Sequence, residues 1–263
     1  MRHIIPCLIV LFAVACGESD SDSESNGTPS DNADASMGDA EAPAVEMITV
    51  TYIARNAQTG EAIAGADVCI DGRDCIQTDA DGEAAVEFAV GASFSGSVRA
   101  ESFMTVRGSA TLSADIAEDF TFPLPLISEG VVSVLATKAG AESFDRSKGH
   151  IVFLADNEGM ETGARAGVSL TLEPAGGGIG PKYIKEGELT ELILDDPYDD
   201  SLEATTSSGV ANFYNITPGD YTLQLTGAEG CSAFLGRGEN ADSVQFDVKA
   251  NELSYVTVTC PVE

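Results

Sequence analysis

The chain has 263 residues, with 43 Asp plus Glu against 13 Lys plus Arg, and a formal net charge of −30. A charge of that sign and size disfavours nucleic acid and anionic lipid headgroups as partners, leaving a strongly solvated acidic surface. Hydrophobic residues make up 43% of the chain, which is enough for real cores, and tryptophan is absent.

The first elements are those of an exported protein. Met1-Arg2-His3 is a short basic start, and the apolar run Ile4 to Val14 that follows is about half as long as a membrane-spanning helix requires. Residues 1–15 therefore read as a signal peptide. The junction Ala13-Val14-Ala15-Cys16-Gly17 resembles a bacterial lipobox, which implies diacylation of Cys16 and a lipid-anchored mature N-terminus. Ordinary signal-peptidase cleavage at the small-x-small site is the alternative, and it would leave Cys16 as a free thiol. From Gly17 to Glu46 there are nine acidic residues and no basic one. Such a segment buries too little apolar surface to offset its ordering entropy, so 16–46 is expected to be a disordered acidic linker between the membrane and the folded part.

Order is expected from Met47. Ile48, Val50, Tyr52 and Ala54 alternate with Thr49, Thr51, Ile53 and Arg55, the period of a strand with one buried face. A second alternation places Ala84, Val86, Phe88 and Val90 opposite Glu83, Ala85, Glu87 and Ala89. Turn-forming stretches at Asn56 to Gly60, Asp71 to Asp74, Asp79 to Gly82 and Gly91-Ala92 separate short runs, as in an antiparallel sandwich. Phe120, Phe122 and Leu124 close this first region, 47–126, with Pro123 and Pro125 excluding a central strand there. Within the linking segment 127–147, Val132, Leu135, Ala136 and Ala139 stand at helical spacing ahead of Gly140, so a short helix over 129–140 is expected, with a strand through Val131, Val132 and Val134 as the alternative. The remaining region, 148–263, carries strand patterns at Val168-Leu170-Leu172, Tyr221-Leu223-Leu225, Val244-Phe246-Val248 and Val256-Val258. It is interrupted by a long polar insert, 173–203, read as a functional or disordered loop.

Both halves use one template. The first reads Thr59-Gly60-Glu61-Ala62-Ile63-Ala64-Gly65-Ala66-Asp67-Val68 and then Thr78-Asp79-Ala80-Asp81-Gly82, and the second Gly163-Ala164-Arg165-Ala166-Gly167-Val168 and then Thr205-Thr206-Ser207-Ser208-Gly209. The second adds Asn215-Ile216-Thr217-Pro218-Gly219-Asp220-Tyr221. These stretches resemble the bacterial carboxypeptidase regulatory-like domain, a small transthyretin-like β-sandwich. The resemblance implies two tandem Ig-like or transthyretin-like sandwiches of an all-β protein, and a non-catalytic accessory or surface role.

Of the 6 cysteines, Cys7 falls in the signal and Cys16 at the anchor, which leaves Cys69, Cys75, Cys231 and Cys260. An even number in an exported chain suggests disulfides, and of three pairings the two local ones, Cys69–Cys75 and Cys231–Cys260, are the simplest. Asp79 and Asp81 have the opening of a calcium loop without its distal Glu, and a plain Asx-type turn is the competing reading. Asp195, Asp196, Asp199 and Asp200 form the densest carboxylate cluster of the folded part, a second candidate cation site or a solvated loop. Calcium is thus the one ion to consider, and no cofactor is otherwise expected. His150 is the only histidine beyond the signal and reads as an exposed strand residue; with no G-x-S-x-G or H-E-x-x-H, no catalytic residue is assigned. Tyr183, Tyr198 and Tyr214 are candidate stacking surfaces for a glycan, with half-buried strand residues as the competing reading.

These readings converge on a non-catalytic lipoprotein of the bacterial cell envelope, at the outer membrane or cell surface, acting as a binding or spacer module. Its partners would be the membrane, through the lipid, and an envelope protein or glycan. A glycan- or calcium-binding module built on the insert, and an enzyme of another kind, are the alternatives.

Overall fold

The computed structural model describes residues 46–112, 120–157, 164–186, 196–238 and 242–261. Residues 1–45, which hold the expected signal peptide, Cys16 and all of the expected acidic linker but Glu46, lie outside the described residues, as does Asp195.

Seven strands precede the helix: Met47–Asn56 (β1), Asp67–Ile70 (β2), Ile76–Gln77 (β3), Glu83–Ala89 (β4), Ser93–Arg99 (β5), Thr105–Thr111 (β6) and Phe120–Leu126 (β7). Helix α1 spans Glu129–Lys138. Eight more strands follow: Gly149–Asn157 (β8), Ser169–Glu173 (β9), Ile179–Tyr183 (β10), Val210–Ile216 (β11), Gly219–Thr226 (β12), Ser232–Leu235 (β13), Ser243–Val248 (β14) and Glu252–Cys260 (β15). Apart from α1, the described residues are all-β. In β1 the residues Ile48, Val50, Tyr52 and Ala54 are all buried, as their alternation requires. The proline-bearing β7 lies at a sheet edge, paired only with β1, where missing N–H groups break no second ladder.

Small sheets β4-β1-β7 and β14-β12-β9 flank a nine-stranded sheet ordered β10-β11-β8-β15-β6-β5-β2-β3, with β13 also paired to β15. The large sheet belongs to both halves. Its continuity depends on β15, which runs parallel to β8 from Leu253 to Cys260 and parallel to β6 from Glu252 to Ser254. Strand alternation then sends the two cores to opposite faces. Leu253 and Tyr255 join the core under β4-β1-β7, while Val256, Val258 and Cys260 join the core under β14-β12-β9. Two sandwiches therefore share one sheet, offset along it and facing opposite ways.

Helix α1 covers part of the first face beside β4-β1-β7. Ser128 is its N-cap, with Oγ accepting from the Val131 N–H at 3.4 Å, and Glu129 and Lys138 suit the two ends of the helix dipole. Val132, Leu135 and Ala136 are buried, and Gly140 follows the helix end at φ 101°. Helical spacing thus outweighs the β preference of the three valines. The insert departs from the expected loop: Ile179–Tyr183 forms β10, which pairs with β11 and extends the large sheet.

The repeated template is visible atom by atom. Thr78 Oγ1 accepts from the Ala66 N–H (2.9 Å) and donates to the Ile63 carbonyl (2.7 Å); Thr205 Oγ1 accepts from Val168 N–H (3.0 Å) and donates to the Arg165 carbonyl (2.9 Å). Each threonine staples the same turn to the same neighbouring strand start. The glycine four residues later is equally constrained. Gly82 and Gly209 adopt φ +79° and +66°, and an added Cβ would stand 2.6 Å from the Ala54 carbonyl oxygen in one half and 2.3 Å from that of Ala155 in the other. Only glycine fits where these turns press on the first strand of each sandwich.

Candidate functional site

Each pair of cysteines is joined as the local reading expected. Cys69–Cys75 closes the β2–β3 hairpin, and Cys231–Cys260 ties the start of β13 to the end of β15.

The acidic candidates are engaged in local structure. Asp79 Oδ1 accepts from the backbone N–H groups of Asp81 and Glu83, both at 2.9 Å, which is the geometry of a capped turn. Asp196 pairs with Lys185 at 3.2 Å, Asp200 pairs with Lys182 at 2.5 Å, and Asp199 accepts from the backbone and hydroxyl of Ser201. The lysine beside Asp196 and the Ser201 donors on Asp199 hold those carboxyls below the usual range. Among the described residues no three His, Cys, Asp or Glu side chains stand close enough to hold one metal ion. Two of the expected ligands thus carry a cation supplied by the chain itself.

His150 corrects the expectation of an exposed strand residue, for it is wholly buried. It lies on the face of β8 opposite Ile151, Phe153 and Ala155, where Phe144 stacks flat on the imidazole at 4.7 Å and Tyr214 packs at 5.8 Å. Nδ1 accepts from the Asn215 N–H at 3.4 Å, and Nε2 has no partner. Burial pulls its pKa down to about 4, with Asp145 opposing. A neutral, sealed imidazole facing a backbone amide has no nucleophile to activate. Asn215, from the motif preceding Pro218-Gly219, takes a left-handed φ of 55° and braces the adjoining loop by donating to the Ser143 carbonyl and accepting from the Asp145 N–H.

The tyrosines offer no glycan platform. Tyr183, Tyr198 and Tyr214 are all buried. Tyr198 and Tyr214 share a hydroxyl–hydroxyl hydrogen bond of 2.5 Å, Asn212 Nδ2 donates to Tyr198, and Tyr183 accepts from the Leu170 N–H. Burial raises all three phenols.

What the sequence reading missed is the junction between the sandwiches. Arg107 projects from β6 onto the face shared with β14, its side chain only 6% exposed. Nε meets Glu252 at 2.6 Å, and Nη1 lies 3.3 Å from Asp71 and 3.7 Å from Asp247. Burial opposes the charged guanidinium, and the carboxylates of Glu252, Asp247 and Asp71 outweigh it, so its pKa is raised. On the other face of β15, Tyr255 donates to the Pro125 carbonyl at 2.9 Å. Both faces of the junction are thus pinned. An arginine inside an alternating strand, Thr105-Val106-Arg107-Gly108, was the available signal, but nothing local names its partners.

No protein-family model and no curated protein matches this chain. Among solved structures it is similar to the Bacillus anthracis TIE protein, at 13% identity and TM-score 0.27 over 82% of this chain and 34% of that one, so that it spans about a third of that protein's length. It is also similar to GBS52, the minor pilin of Streptococcus agalactiae, at 14% identity and TM-score 0.28 over 82% of this chain and 96% of that one. With the shaft pilin SpaA of Lactobacillus rhamnosus GG the figures are 10% identity and TM-score 0.25, over 84% of this chain and 99% of that one. Likenesses of this order carry no argument, and the fold assignment stands on the strand pairings above. No helix among the described residues is long and apolar enough to cross a membrane.

Proposed function

We propose that this chain is a non-catalytic module of the cell envelope, held to a membrane through lipid on Cys16 and set off from it by the acidic segment 16–46, in which the fused sandwiches act as a stiff spacer. The single observation that carries the reading is the nine-stranded sheet running unbroken through both halves. Two sandwiches joined only by a linker would move relative to one another by default. Here a shared strand and the Arg107 cluster oppose such motion. Two disulfides suit an oxidising compartment, and the sealed His150 supports a role other than acid–base catalysis.

The test has two arms. Envelope fractionation of an expressing bacterium should place the wild-type protein with membranes and Cys16→Ser in the soluble fraction, since stable anchoring needs the paired acyl chains; equal partition would remove the anchor. Small-angle scattering of the soluble variant should show a folded part of constant maximum dimension between low and high salt. A dimension that contracts with salt beyond the contribution of the acidic segment would remove the spacer.

A further inference from the structure

A partly open cavity of about 590 Å³ lies between β1-β7 and β2-β5-β6, with Ser232 to Leu235 of β13 also in its wall. Thr111 and Ser232 are exposed residues of that wall. The volume falls in the range of small-molecule sites and is far larger than the gaps that ordinary core packing leaves.

Gly96 of β5 and Gly108 of β6 stand directly opposite each other in register, and both line the cavity. Neighbouring atoms already occupy the space beside them: a Cβ at Gly96 would stand 2.8 Å from the Cys69 carbonyl oxygen and 2.9 Å from Ile70 Cδ1, and one at Gly108 would stand 3.4 Å from Leu235. Gly96 thus serves the close approach of the β2 backbone.

A second observation points to an occupant. Tyr52 lines the cavity and is 5% exposed, yet its hydroxyl is buried with no hydrogen-bond partner. A hydroxyl left so loses its water hydrogen bonds without replacement, a loss that a phenylalanine would avoid. Burial raises the phenol above its ordinary range, so it keeps its proton and acts as a donor. The remaining wall is predominantly aliphatic and aromatic, and the one arginine of the lining, Arg107, is committed to Glu252, Asp71 and Asp247. An anionic ligand would meet no free cation here and would enter a chain of net charge −30.

We propose that the first sandwich binds an uncharged, largely apolar small molecule bearing one oxygen acceptor, which accepts a hydrogen bond from Tyr52. Carbonyl- or ether-bearing lipid derivatives are of this class. The inference does not depend on the spacer reading, and either can fail alone.

The test uses the full mature chain and three probes of equal length: 2-dodecanone, dodecane and dodecanoate, each displacing the fluorescent amine N-phenyl-1-naphthylamine. The ketone should bind tightest, about fivefold better than the alkane, as one neutral hydrogen bond supplies. Dodecanoate should bind weakest. Tyr52→Phe, which removes a hydroxyl that has no partner, should fold normally and bring the ketone down to the alkane without changing the alkane. Ala110→Leu and, separately, Gly108→Val narrow the cavity by different routes, and whichever gives wild-type circular dichroism should weaken all three probes at least tenfold. Absence of fluorophore binding to the folded wild type would overturn the proposal. So would a ketone-to-alkane ratio that survives Tyr52→Phe, or a preference for dodecanoate.

Discussion

Replacing His150 should flatten the acid side of the stability profile. The imidazole is wholly buried between Phe144 and Tyr214, and burial lowers its pKa from 6.5 to about 4. In the unfolded chain it takes up a proton near pH 6.5, and in the folded chain only near pH 4. The unfolded state therefore binds more protons across that window, so the stability contribution is present in full above pH 6.5 and is lost as pH falls toward 4. Between pH 7 and pH 5 the loss amounts to about 2 kcal/mol, at 1.36 kcal/mol per unit. His150→Leu removes the titration and the unpartnered Nε2 together, while His150→Gln retains a polar group that can accept from the Asn215 N–H. Urea unfolding of wild type and both variants at pH 7, 6 and 5 measures the difference directly. Asp145, the raised Asp156 and the overall negative charge titrate in all three proteins, so their effects cancel in the comparison. Each variant should gain about 2 kcal/mol relative to wild type on going from pH 7 to pH 5. Parallel curves over that range would refute the reasoning, because a histidine that is free to protonate in the folded state contributes no such difference.

Arg107→Met should cost about 3 kcal/mol by urea unfolding, since it leaves Glu252 and Asp247 facing each other half-buried, and Arg107→Lys should recover only part, because a single ammonium cannot reach Glu252 and Asp71 in the same forked geometry. Thr78→Val and Thr205→Val should each cost about 1–3 kcal/mol by leaving an N–H and a carbonyl unpaired, whereas Thr→Ser at either site should cost well under half as much. Removing Cys231–Cys260 by paired alanines should lower stability by about 3–4 kcal/mol, against about 2 kcal/mol for Cys69–Cys75, because the two bridges span 29 and 6 residues and the longer loop restricts the unfolded chain more.

The parts of the fold legible in the sequence are those whose physics is local. β1 and β4 have one buried face each, and their alternation marks them; α1 is announced by apolar spacing and the glycine that ends it; the repeated Thr and Gly positions mark the same stapled turn in both halves. The disulfides follow from proximity along the chain. What escaped reading depends on long-range pairing. β15 is buried on both faces, so its alternation is blurred by Tyr255, Thr257 and Ser254, and nothing within it names β6 as a neighbour. β8 has the same difficulty, which is why His150 reads as exposed when Phe144, from the loop after α1, and Tyr214 cover it. Ile179–Tyr183 contains a glycine and a proline and carries no strand signal of its own; its pairing with β11 makes it a strand. The cavity too is hidden, because its wall is assembled from β1, β2, β5, β6, β7 and β13, which meet only through long-range pairing.

The central claim is that the shared sheet makes one mechanical body of two sandwiches, and differential scanning calorimetry of the disulfide-intact protein tests it most directly. A single transition whose calorimetric enthalpy equals its van't Hoff enthalpy is the expected result, as for one cooperative unit. Two resolved transitions, or a calorimetric enthalpy near twice the van't Hoff value, would contradict it and leave two sandwiches that merely touch.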